Sequence, residues 1–219
     1  MSDIALSVCV VLGAAALAGG LLLWMRRVAR GREEELAAYC RGRGYRLEVQ
    51  KEPTARRITI EADGWRLVSS RRAVQNESSS GSSGWQCETE WVCEADNPLR
   101  QTFALQVASG TMDVGRLPEW LREGALRALR IWLGTAAAGL SSIRTAFCEN
   151  GRCGTVFEMQ AHAADASLEK LRAPLAGRSV SLPLYLECSP SRIRLTMPET
   201  AAGLPQEIEA ILSVGLALR

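Results

Sequence analysis

The sequence predicts an α+β protein: an N-terminal single transmembrane helix, then an antiparallel β-meander and hairpins packed with amphipathic helices. Three observations carry this. Ile4 to Met25 is a run of twenty-two residues without a charge. From Tyr45 onward apolar residues recur every second position, the period of a half-buried strand. Leu117–Leu133 and Pro205–Leu218 instead place apolar residues at helical spacing. The chain divides into a short tail (1–3), the span (4–25), a basic juxtamembrane segment and helix (26–44), a sheet plus helix (45–134, with a flexible Ser/Gly loop at 76–84), and a second αβ subdomain (135–219) closed by an amphipathic helix.

As a helix, Ile4–Met25 is about 33 Å long at about 1.5 Å per residue, against roughly 30 Å for the hydrocarbon core of a bilayer. Only Met1, Ser2 and Asp3 precede it, whereas Arg26, Arg27, Arg30 and Arg32 follow. Cationic flanks stay in the cytoplasm, so the expected location is a bacterial inner membrane with the domain on the cytoplasmic side. Trp24 stands where an interfacial aromatic belongs. Ala16-Leu17-Ala18 resembles a signal-peptidase site, but a signal peptide begins with a positive segment, and here that segment holds Asp3 and no Lys or Arg. Gly13, Ala16 and Gly20 share one helix face, a spacing that lets two spans approach closely and points to a homo-oligomer. The four arginines also mark a candidate contact with lipid headgroups.

Composition limits the function classes. Lys and Arg number 26 against 24 Asp and Glu, a net charge of +2, which makes no case for nucleic acid. Only Lys51 and Lys170 are lysines, a bias read as that of a GC-rich bacterial genome. Seven cysteines are present. Cys9 lies in the span; the other six would be small buried hydrophobes in a reducing compartment. Cys148 and Cys153 flank a hairpin tip at Asn150-Gly151 and would bond one another if the domain were periplasmic. They are the main evidence for that alternative.

Taken in order, residues 26–44 continue as a helix with Leu36, Ala37 and Cys40 on its apolar side, a break at Gly31, a weak Arg30–Glu34 pair, and an end at Gly42 or Gly44. Tyr45, Leu47 and Val49 form one strand and Ile58, Ile60 and Ala62 the next. Asp63-Gly64 turns the chain, both residues at positive φ, into a strand beginning with Trp65 and Leu67. Trp85, Cys87, Thr89, Trp91 and Cys93 fall on one strand face, expected to be core. Cys87 and Cys93 stand about 20 Å apart along it, too far to bond. Phe103, Leu105 and Val107 face inward from Gln101–Ala108, completing a meander of about five strands.

Leu117–Leu133 is the best helix after the span, with Pro118 in its first turn and Gly134 at its end. Glu119, Arg122, Glu123, Arg127 and Arg130 share one face; Trp120, Leu121, Ala125, Ala128, Leu129 and Trp132 should pack across the sheet. Ile131–Leu140 is too short for a second crossing. Strands follow at Ile143–Phe147 and Thr155–Ala161, then a helix at Ser167–Leu175 with Leu168, Leu171 and Leu175 on one side. Ser179–Glu187 and Arg192–Met197 form a hairpin through Ser189-Pro190-Ser191. Ile208, Ile211, Leu212 and Gly215 form the packing face of the closing helix. Helix, glycine and hairpin follow one another at 33–68 and again at 167–197, with little match between the residues.

No catalytic, cofactor-binding or metal-ligating set is legible. His162 is the single histidine, which removes metal sites built on paired histidines. Cys148 and Cys153 have four residues between them, at the loose edge of zinc spacing, and Cys87 and Cys93 are wider still. No Gly-x4-Gly-Lys-Ser/Thr loop or Gly-x-Ser-x-Gly elbow is present. Gly42-x-Gly44 ends a helix, where a dinucleotide site would open one. Glu88 and Glu90 share a solvated strand face. The expected function is therefore non-enzymatic: a membrane-anchored module that binds another protein or supports assembly, with no cofactor. The alternatives are a lipid or small-ligand binding module at the membrane surface, and an enzyme using Cys148 or Cys153 as a thiol.

Overall fold

The computed structural model describes residues 2–75, 83–94, 102–109, 117–133, 140–160, 162–176 and 180–218; the side chains of 2–16, 75, 83, 125, 128–133 and 176 are outside that description. Among the described residues, four helices and one antiparallel sheet of nine strands make up the α+β fold.

Helix α1 runs without interruption from Ser2 to Arg43, so the break expected at Gly31 does not occur. A helical glycine costs only about 1 kcal/mol relative to alanine, and the last turns are held by burial of Leu36 and Cys40 in the core. Gly44, at φ 72°, stops the helix. Its N–H donates to the Arg41 carbonyl and that of Tyr45 to the Cys40 carbonyl, the paired bonds of a left-handed C-terminal cap.

Strands β1 (Arg46–Lys51), β2 (Ala55–Ala62), β3 (Trp65–Gln75) and β4 (Ser83–Cys93) form a meander of successive antiparallel pairs. Ser83 and Gly84, expected in the flexible loop, belong to β4; the rest of that loop, 76–82, lies outside the described residues. The Asp63-Gly64 turn departs from expectation: Gly64 is at φ 78°, while Asp63 is not among the positive-φ residues. One positive φ at the second central position is the type II pattern. At Asn150-Gly151 both residues are at positive φ, 54° and 74°, as a type I′ hairpin needs.

The expected five-strand meander ends at four. Strand β5 (Phe103–Ser109) does not follow β4 in the sheet, whose order is β1-β2-β3-β4-β9-β8-β5-β7-β6. Beside β4 lies β9 (Ile193–Pro198), with Trp91 opposite Leu195 and Thr89 opposite Met197. All four of these side chains are buried, and that match decides the neighbour. The next strands are β6 (Ser142–Glu149), β7 (Arg152–Glu158) and β8 (Leu184–Cys188). Strands of 45–134 and 135–219 thus join one sheet. Helix α2 (Glu119–Leu133) links β5 to β6 past β7, and α3 (Asp165–Ala176) links β7 to β8 past β5.

One sheet face is the core. Ile58, Ile60, Leu67, Trp91, Leu105, Val156, Leu186 and Leu195 point there, against Leu36 and Cys40 of α1, Leu168, Leu171 and Leu175 of α3, and Ile208, Ile211, Leu212 and Val214 of α4 (Pro205–Leu216). Alternate residues form the opposite face, with Arg57, Arg66, Arg72, Glu88, Glu90 and Arg194 among them, half-buried or exposed. An antiparallel sheet tolerates one wetted face.

Two packing expectations are corrected. Trp85 and Cys87 share the core-side face with Trp91, yet Trp85 is 55% exposed and Cys87 half-buried. The β3–β4 hairpin outreaches the core, and the Arg71 guanidinium, 4.2 Å above the indole, is the neighbour Trp85 finds. Trp120 and Leu121 of α2 are likewise exposed, Trp120 by 70%. Helix α2 meets the sheet at its edge strand β6, so its first turn has no sheet face beneath it.

Candidate functional site

Arg26, Arg27, Arg30 and Arg32 are all exposed along α1. Among the described residues no helix is long and apolar enough to cross a membrane. Ile4–Ala16, most of the expected span, lies outside the described side chains, as do Gly13 and Ala16. Gly20 is described, with open space where a Cβ would stand. The described apolar residues just beyond it, Leu21 to Met25, are each more than half exposed.

The structure brings Arg32 together with two arginines that are distant in sequence. Arg32 of α1, Arg56 of β2 and Arg71 of β3 line one cavity of about 210 Å³, closed by the loop that enters α4 at Gly203 and by Glu207. The Glu207 carboxylate is already committed. Its Oε2 accepts the Gly203 N–H at 2.8 Å and the Leu204 N–H at 3.0 Å, the backward reach that caps a helix start. Glu33, on the turn beside Arg32, accepts from Lys51 at 2.6 Å and Arg56 at 3.3 Å. Arg56 Nε is buried with no acceptor. No local spacing joins α1, β2 and β3, so only Arg32 was legible as a candidate. A larger hollow of about 470 Å³ is lined by Arg56, Arg57, Arg71 and Arg72 together with Glu52, Glu88 and Glu90.

A second polar cluster surrounds Glu158 at the end of β7, fully buried. Arg144 donates from Nε to Oε2 at 2.9 Å and from Nη2 to Oε1 at 3.1 Å. The Ser142 hydroxyl and the backbone N–H groups of His162 and Ala164 complete its partners. His162 adopts φ 64°, and its N–H and that of Ala164 both point to the carboxylate. Burial pushes the Glu158 carboxyl up, but the Arg144 and Ala164 hydrogen bonds and the Arg144 charge outweigh this and hold it below the ordinary value. Arg144 also pairs with Asp165, whose Oδ2 lies 3.3 Å from His162 Nδ1. With every carboxylate oxygen engaged, Glu158 ties the turn to the sheet. The signal sequence reasoning missed was an Arg and a Glu facing the same side of adjacent strands.

Cys148 and Cys153 face each other across β6 and β7 and are joined in a disulfide. Cys40, Cys87 and Cys188 carry free thiols. Burial pushes the Cys188 thiol up to about 12 and raises that of Cys40. Among the described residues no group of three His, Cys, Asp or Glu is placed to hold a metal ion. Glu90, one of the two sequence-noted carboxylates, accepts from Arg194 Nε at 2.6 Å. Compared with protein-family models, curated proteins and solved structures, the chain finds no match.

Proposed function

We propose that the chain is a single-pass protein of the bacterial inner membrane, spanning at Ile4–Met25, whose α+β domain is a protein-interaction or assembly module on the cytoplasmic side. The observation that supports it is the continuity of α1. One helix of 42 residues, about 63 Å long at about 1.5 Å per residue, carries exposed Leu21, Leu22 and Leu23 toward one end and buried Leu36 and Cys40 toward the other. The anchor and the domain would then form one rigid unit, holding the wetted sheet face at a set height above the bilayer. The Gly13, Ala16 and Gly20 face would pair two spans.

Carbonate extraction of membranes tests the anchor: the full chain stays in the pellet, and release into the supernatant overturns the span. Site-specific crosslinking in cells from Thr196, on the wetted face, tests the module. A discrete protein adduct is expected; none from Thr196, Arg66 or Tyr185 overturns the interaction reading.

The Cys148–Cys153 disulfide favours a second reading, in which the domain lies on the periplasmic side, where such bonds persist. A tag after Arg219 in intact spheroplasts separates the two. Survival under external protease assigns the cytoplasm, and immediate loss assigns the periplasm.

A further inference from the structure

We propose that Arg32, Arg56 and Arg71 form a binding site for a phosphomonoester at the end of the domain from which α1 departs. Three elements that meet only in the folded chain each contribute a guanidinium to one cavity of about 210 Å³, room enough for a phosphate group. A guanidinium presents its N–H donors in a planar fork that matches phosphate oxygens. Arg56 Nε–H is a buried donor that the fold leaves without an acceptor, and a phosphate oxygen would satisfy it.

The charge count selects the ligand. Among the described residues that line the cavity itself, Arg32, Arg56 and Arg71 face one carboxylate, Glu207. Glu207 is turned to the backbone N–H groups of Gly203 and Leu204. The surplus of two positive charges matches the nearly doubly charged phosphomonoester better than a singly charged diester. The larger hollow, which Arg56 and Arg71 also line beside Arg57 and Arg72, has a smaller surplus of one, since Glu52, Glu88 and Glu90 stand against its four arginines.

Position extends the argument. Arg32 follows Met25 by seven residues, about 10 Å along α1 at about 1.5 Å per residue. If Ile4–Met25 spans the bilayer, the cavity opens at the depth of the lipid headgroups. The same phosphate chemistry then has two sources, a lipid headgroup bearing a terminal phosphate or a soluble phosphate ester. Only the lipid source rests on the proposed span; the site itself does not.

The test is calorimetric titration of the full chain, in an uncharged detergent at constant ionic strength, with inorganic phosphate. Saturable binding is expected. Arg32→Gln and Arg71→Gln, both at exposed positions, should each weaken it tenfold or more; Arg71→Lys should lose less, and Arg192→Gln, away from the cavity, nothing. Thermal melts matching the unsubstituted chain confirm folding. Absence of saturable binding, or binding that Arg32→Gln and Arg71→Gln leave intact, overturns the site. Repeating the titration in nanodiscs assigns the source. If phosphatidic acid blocks phosphate binding and phosphatidylglycerol at equal charge does not, the site takes lipid headgroups; if neither blocks it, the site takes soluble esters. Failure of carbonate extraction would remove the lipid source and leave the detergent result standing.

Discussion

Gly215 of α4 lies directly on the indole of Trp91 in β4: a Cβ at 215 would stand 2.8 Å from three ring atoms. The absence of a side chain is what lets α4 close over the sheet there. Trp91 is fully buried, so the ring can yield only by displacing its core neighbours. Gly215→Ala should therefore cost about 1–3 kcal/mol, the range for overpacking a well-filled core. A fall of roughly 2–4 °C in melting temperature per kcal/mol is the measurement. An unchanged melt would mean that α4 does not seat on Trp91.

Thr89 carries a different load. Its hydroxyl is fully buried, 2.8 Å from the Thr200 carbonyl, 3.1 Å from the Ala202 N–H and 3.2 Å from the Ser69 hydroxyl. It fastens the loop leaving β9 to the middle of β4. Thr89→Val keeps the shape and strands those partners, a loss of about 1–3 kcal/mol. Amide exchange should quicken first at Ala202, and protection equal to that of the unsubstituted chain would refute the role.

Glu158 sets an acid limit. Its folded-state pKa lies below the ordinary 4.5, so its ion pair contributes stability in full above that value. The contribution is lost as the pH falls through the lower folded-state pKa. Glu158→Gln should destabilise the protein at neutral pH by about 3 kcal/mol, as removal of one partner from a buried pair does. The gap between variant and unsubstituted protein should narrow as the pH drops below 4.5. Denaturant melts across that range that keep a constant gap would exclude the linkage.

The thiols should separate by accessibility. In the native protein a maleimide should label half-buried Cys87 ahead of buried Cys40 and Cys188, since burial keeps the Cys188 thiol protonated up to about 12. Cys148 and Cys153 should label only after reduction. Peptide mapping of the adducts reads both, and early labelling of Cys188 would contradict its place in the core.

Much of the architecture is legible in the sequence because it depends on a few neighbouring residues. The alternation of Phe103, Leu105 and Val107 buries all three, and Asn150-Gly151 makes the expected turn because both residues tolerate positive φ. Leu168, Leu171 and Leu175 face the core at helical spacing. Local signals fail where distant partners outweigh them. Gly31 does not break α1, whose end is clamped by Leu36 and Cys40. Trp85 and Trp120 stay exposed although each stands at an apolar position of its element.

By itself, then, the sequence determined the α+β class, most strand and helix positions and the arginine row after the uncharged run, since backbone sterics and hydrophobic period act over a few residues. Only the tertiary structure decided that β9 lies between β4 and β8, that Arg144 neutralises Glu158, and that Arg32 meets Arg56 and Arg71. Those pairings join segments far apart along the chain. They are chosen by which buried surfaces fit and which charges balance, and no spacing records that choice.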